Sequence, residues 1–276
     1  MVFETNPYPG KHIIIFLNNL VIRGGKHMKV FLTSSPGGQI KINGIRTAAV
    51  LSYDNGFLDM LGKKWKERSK VLLIAASPEE PEINDSIRDI FVQSFTMSGL
   101  DIECIDICDN RNSDVINRIS DYDAIILSGG HVPTQNRFFE KISLKEQIKG
   151  FNGILIGISA GTMNSAEVVY AQPELDGESI DTGYKRFIPG LGITKLMIIP
   201  HYQDIKDDVL DGKRVMEDIA YPDSVGREFY ALVDGSFIHI ENGKETLYGE
   251  GYLIKDRSIF KISEPNQSIV LPGGME

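Results

Sequence analysis

Along the chain, short apolar runs alternate with stretches whose apolar residues recur at helical spacing. Residues 30–33, 71–76, 102–106 and 124–127 read as strands, with helical patterns between them over 55–66, 83–97 and 115–119. Two of the runs, Val71-Leu-Leu-Ile-Ala-Ala and Ala124-Ile-Ile-Leu, are apolar without interruption, as strands covered on both faces must be. Alternation of this kind predicts an α/β fold with a doubly wound, mostly parallel sheet. Gly153-Ile-Leu-Ile-Gly and Met197-Ile-Ile-Pro continue the strands, and a helix is expected over 160–169.

Nearer the C-terminus the texture changes. Ala231-Leu-Val, Ser236-Phe-Ile-His-Ile, Glu245-Thr-Leu-Tyr and Tyr252-Leu-Ile are separated by Asp234-Gly235 and Asn242-Gly243, dipeptides that favour two-residue hairpins. A closing antiparallel β-meander is therefore expected. Residues 1–27 read as an N-terminal extension, peripheral to a single domain over 28–276 that opens at Met28.

Composition narrows the class. With 276 residues, 42% hydrophobic and 24% charged, the chain sits in the ordinary globular range. Its 29 basic residues against 38 acidic ones give a formal net charge of -9, which repels polyphosphate, and no basic patch offsets it, so nucleic acid is not an expected partner. The apolar stretch 13–17 is far short of the roughly 20 residues that span a bilayer. Glu4 lies where a signal peptide would be basic and no small-residue cleavage site follows, so no membrane association and a cytoplasmic location are expected. Cys104 and Cys108 lack the further Cys or His partners of a zinc site and read as small buried hydrophobes in a reducing compartment. No metal and no cofactor are implied.

The strongest chemical signal is Gly157-Ile158-Ser159-Ala160-Gly161, directly after an apolar strand and directly before a helical pattern. In that context G-x-S-x-G is a nucleophile elbow, with Ser159 raised at the strand end. A serine hydroxyl needs a base. Of the five histidines, His12 and His27 lie in the extension and His239 alternates with apolar neighbours inside a strand. His201, after Met197-Ile-Ile-Pro200, is the preferred base on the rim where open α/β sheets hold ligands, with His131 the weaker candidate. The turn Ser128-Gly129-Gly130-His131 suits backbone donors, so the amides of Gly130 and Ala160 are the expected oxyanion hole. For the acid that orients the imidazole, the segment between elbow and His201 offers Glu167, Glu174, Asp176, Glu178 and Asp181. Glu167 lies on the expected helix. Glu174, outside it, is preferred over Asp176 and Glu178.

These stretches, Lys29-Val-Phe-Leu-Thr-Ser, Leu127-Ser-Gly-Gly-His, Gly157-Ile-Ser-Ala-Gly and Ile199-Pro-His-Tyr, resemble the dipeptidase E and cyanophycinase family of serine peptidases. The resemblance implies a flavodoxin-like, class I glutamine amidotransferase-like fold and a Ser-His-acid site in which Glu174 falls where the family places its third member. It also implies a short peptide substrate with an acidic first residue, held by an arginine after the catalytic histidine, for which Arg214 is the nearest match. The family's Gly-Gly-Asn turn reads Gly-Gly-His here, which assigns His131 to substrate contact. Two other readings stand beside this one: an α/β-hydrolase esterase, and a noncatalytic binding or regulatory module on an amidotransferase-like fold. An amidotransferase itself would carry Cys where Ser159 stands. Oligomeric state is left open, a homo-oligomer included.

Overall fold

The computed structural model describes residues 28–272. The expected N-terminal extension, with His12 and His27, lies outside the described residues. At the centre is an eight-stranded sheet with the order Ser268–Val270, Lys244–Tyr248, Phe237–Glu241, Lys29–Thr33, Ile154–Ile158, Ala124–Leu127, Ser69–Ile74, Ile102–Cys108. The last five run parallel to one another, and the first three continue the sheet antiparallel. The expected α/β class with a mostly parallel sheet is what the chain adopts.

Side-chain alternation shows why the inner strands are so apolar. Val30, Leu32, Leu72, Ile74, Ile125 and Leu127 pack on one face with Val115, Ile119, Phe138 and Phe139. Their neighbours Phe31, Val71, Leu73 and Ile126 pack on the other with Phe57, Leu61 and Phe95. Both faces are thus covered, and every position of such a strand must be apolar.

Two expectations are corrected. The helix after Ser159 covers only Ala160–Asn164, because Val168–Tyr170, with two β-branched residues, pairs instead with Phe187–Pro189. Glu167 is therefore not helical. The C-terminal strands do not form one meander. Phe237–Glu241 and Lys244–Tyr248 join the large sheet, while Glu228–Leu232, Gly251–Lys255 and Ser258–Ser263 form a second sheet with Met197–Ile199. Asp234-Gly235 is thus a crossover between sheets and not a hairpin tip, since the strands flanking it do not pair. A further hairpin, over Gly37–Ile42 and Ile45–Leu51, turns at Asn43-Gly44, both at positive φ.

The glycines of the elbow are required by contact. A Cβ on Gly161 would collide with the Leu127 carbonyl oxygen and come within 2.6 Å of Leu127 Cβ, because the helix start lies directly on the neighbouring strand. Gly161→Ala is expected to destabilise the protein by about 1–3 kcal/mol, the usual cost of overpacking. Gly150→Ala, where nothing lies within 4 Å, should fall within about 0.5 kcal/mol of wild type. Urea titration of both variants checks this, and equal midpoints would show that the elbow yields easily.

Candidate active site

Ser159 sits between the strand Ile154–Ile158 and the helix Ala160–Asn164 at φ 50° and ψ -111°, a conformation that L residues rarely adopt. Such strain persists only where surroundings over-determine it. Here the end of the strand Lys29–Thr33 does so. Thr33 accepts from the Ser159 amide at 3.2 Å and from Thr162 Oγ1 at 2.8 Å, and its own hydroxyl donates to the Gly157 carbonyl at 2.8 Å. The strained turn is therefore tied on both sides to one neighbouring strand, and the serine side chain is left at the rim.

His201 reaches that rim from the second sheet, not from the large one as expected. It follows Met197–Ile199 and takes a left-handed backbone at φ 57°. Its amide donates to Ser34 Oγ at 2.7 Å, and Ser34 Oγ in turn donates to Asp234 Oδ1 at 2.6 Å. His201 Nδ1 meets the same Asp234 Oδ1 at 2.7 Å. Asp234 is thus the carboxylate bonded to the imidazole, and among the described residues Glu174 makes no hydrogen bond to it. Ser34 and Asp234 are the site residues that sequence reasoning missed. Asp234 was visible only as half of an Asp-Gly turn signal, and Ser34 only as the last residue of the opening strand motif.

Electrostatics follow from this geometry. Burial pulls His201 down, but the bond to Asp234 and the charges of Asp234, Asp204 and Glu174 outweigh it and raise it above its ordinary value. Burial pushes Asp234 up, yet the bonds from His201 and Ser34 and the imidazolium charge hold it below the usual carboxylate range. Both side chains stay about a third exposed, at 33% and 38%, so solvent screens the pair and its worth to stability is no more than about 1 kcal/mol. That contribution is full below the unfolded histidine value and fades as pH rises through the raised His201 value. It fades again as pH falls through the lowered Asp234 value.

The other expected residues are distributed as follows. Gly129 and Gly130 line one cavity of about 290 Å³ together with Ser159 and His201. Gly129 lies so close to Ser159 that a Cβ there would stand 3.3 Å from Ser159 Cβ. Neither the Gly130 nor the Ala160 amide donates to a protein acceptor among the described residues. His131 does not line this cavity. Its Nδ1 meets Thr134 Oγ1 at 2.9 Å and its Nε2 meets Glu178 Oε1 at 2.8 Å, so both ring nitrogens are engaged. Glu178 also accepts from the amides of Glu174 and Leu175, at 2.9 and 3.0 Å. The acidic segment is therefore clasped to the Gly-Gly turn, and Glu178 is committed to His131. Glu174 is exposed at its outer surface, but protein atoms crowd its carboxyl. That crowding and the Glu178 charge push it up to about 7, with His201 pulling the other way. Asp176 is exposed. Arg214 is 61% exposed and its fork is taken by Asp218, with Nε to Oδ2 at 3.1 Å and Nη2 to Oδ1 at 2.9 Å. It does not line the cavity. His239 stacks on Phe31 at 4.5 Å and bonds the Val30 carbonyl, a structural role as expected.

The pattern of peptidase family S51 matches residues 45–248, which include the elbow, His201 and Asp234. The chain belongs to that family. It is accordingly a serine-type peptidase. The peptidase fold recurs in a peptidase from an acI-B1 actinobacterium, 16% identical with a TM-score of 0.58, covering 89% of this chain and 97% of that one. It recurs also in a candidate peptidase E protein from Listeria monocytogenes EGD-e, 14% identical with a TM-score of 0.52, covering 86% and 99%. A comparison with curated proteins gives no match. Among the described residues of this peptidase, no helix is long and apolar enough to cross a membrane.

In an NMR titration His201 is expected to titrate above the ordinary histidine value of about 6.5. Asp234→Asn should bring it down, because burial then acts with less opposition. An unmoved His201 in that variant would show that the observed bond does not govern the imidazole.

Proposed function

We propose that this peptidase hydrolyses short peptides through Ser159, His201 and Asp234. The observation that carries the reading is the His201–Asp234 bond through Nδ1, which leaves Nε2 without a protein partner among the described residues, on a side chain that lines the same cavity as Ser159. Ser159 attacks the scissile carbonyl while His201 takes its proton. The resulting oxyanion is held by the amides of Gly130 and Ala160, and His201 then protonates the leaving amine. Water, activated by the same imidazole, releases the acyl group from Ser159. Asp234 fixes the tautomer and stabilises the imidazolium, the duty that the sequence reading had given to Glu174.

The substrate side of the reading remains a short peptide with an acidic first residue. The partners are peptides, not nucleic acid or membrane, in keeping with a net charge of -9. The free cysteines Cys104 and Cys108 support a reducing cytoplasmic setting.

A fluorophosphonate should label wild type at Ser159, and Ser159→Ala should lose both labelling and about 10⁶ of the hydrolytic rate. Asp234→Asn should lower kcat by about 10⁴, the size of the effect when the orienting acid of a triad is neutralised, and shift the activity limb to lower pH. Glu174→Gln should keep most of kcat with a slight downward shift of the same limb, since only its charge reaches His201. Kinetics on the three variants decide the matter: a silent Asp234→Asn beside an inactive Glu174→Gln would return the role to Glu174.

A further inference from the structure

We infer that Arg46 is the residue through which this peptidase reads its substrate, its guanidinium binding a substrate carboxylate inside the Ser159 cavity. The inference rests on the proposed role of Ser159 and names what holds the rest of the ligand.

Arg46 lines the cavity from the hairpin strand Ile45–Leu51, in the same enclosure as Ser159 and His201. Among the described residues it is the one lining side chain with a permanent charge, and no carboxylate lines the cavity to oppose it. The hairpin register sets Lys41 directly across from Arg46. Residues opposite one another in an antiparallel pair project to the same face, so two cations stand side by side, and like charges so placed repel. Among the described residues neither has an acidic partner within ion-pair distance. An incoming anion relieves that repulsion.

The root of the hairpin is anchored, so Arg46 is carried on a defined support. The Ser52 amide donates to the Pro36 carbonyl at 2.8 Å and the Leu51 amide to Ser98 Oγ at 2.9 Å. Gly38 is packed so closely that a Cβ would stand 2.7 Å from Ser94 Oγ and 3.0 Å from Leu51 Cδ2. The neighbouring wall is apolar, from Ile87, Ile90 and Phe91 of the helix Pro81–Met97. Arg46 itself is exposed, free to meet an incoming ligand, and its guanidinium offers a carboxylate two parallel donors. Arg214, the cation expected from sequence, has its donors on Asp218 outside the cavity.

A peptide offers a carboxylate from two sources, an acidic first side chain or the C-terminal α-carboxylate, and matched peptides separate them. The measurements are kcat/KM for Asp-Leu against Asn-Leu, and for Asp-Leu against Asp-Leu amide. Protection of Ser159 from a fluorophosphonate by each peptide is read in parallel, so that a slowly cleaved peptide still reports. In wild type one of the two ratios should reach about 10- to 100-fold, the worth of a charge-assisted hydrogen bond. Arg46→Gln should collapse that ratio towards one through KM, Arg46→Lys should keep part of it, and Arg214→Ala should leave it intact. Loss of the side-chain ratio assigns the acidic first residue, and loss of the amide ratio assigns the C-terminus. Ratios near one in a wild type that the fluorophosphonate labels, or ratios unchanged in Arg46→Gln, overturn the inference. Failure of the fluorophosphonate to label wild type overturns instead the reading of Ser159 on which it rests.

Discussion

Ser34 is fully buried at the end of the opening strand, where its hydroxyl accepts from the His201 amide and donates to the Asp234 carboxylate. His201 and Asp234 both follow strands of the second sheet, Met197–Ile199 and Glu228–Leu232, which lie parallel to each other. Parallel strands bring their C-terminal ends to one edge, so His201 and Asp234 emerge side by side. Ser34 then ties that edge to the large sheet, whose Ile154–Ile158 strand delivers Ser159. A buried hydroxyl that both donates and accepts is satisfied only when both partners arrive, and this makes the relative placement of the two sheets part of the site itself.

The elbow depends on the same opening strand. A positive φ at a serine is uphill, and the three bonds through Thr33 hold it there. Close packing removes the alternatives: the glycine at 161 rests on Leu127, and the glycine at 157 leaves a Cβ only 3.0 Å from Thr162 Cα. Strain, glycine and hydrogen bonds form one device, since relaxing the serine would break the bonds and bring the helix start into its neighbour.

The cavity reverses the sign of the molecule. A chain of net charge -9 places a cation and no carboxylate on the lining that surrounds Ser159. Screening over about 8 Å at physiological salt keeps distant surface acids from cancelling this local field. The acidic segment around Glu178 meanwhile has a bonded duty, clasping His131 and two amides of its own loop. Glu178 thus holds the loop in place, while of this segment it is the Glu174 charge that reaches His201.

What the sequence determined by itself was whatever short-range physics dictates. Strands buried on both faces must be continuously apolar, and a serine turn tight against a neighbouring strand must be flanked by glycine, so the parallel sheet and the tight turn at Ser159 were legible. The hairpin carrying Arg46 was legible as well, since Asn43-Gly44 stands between Gln39-Ile-Lys-Ile and Ile45-Arg-Thr, whose alternation is a strand signal. The tertiary structure alone decided which sheet each C-terminal strand joins, because alternation tells which face a residue takes and not which neighbour it pairs with. It alone set which carboxylate meets the His201 ring. Asp234 and Glu174 are both carboxylates beside a turn-forming segment, and only the packing of the second sheet on the first brings one of them to within 2.7 Å of an imidazole 33 residues away and 2.6 Å of a hydroxyl 200 residues away. Contacts at such separations arise from the assembled layers, and no local pattern encodes them.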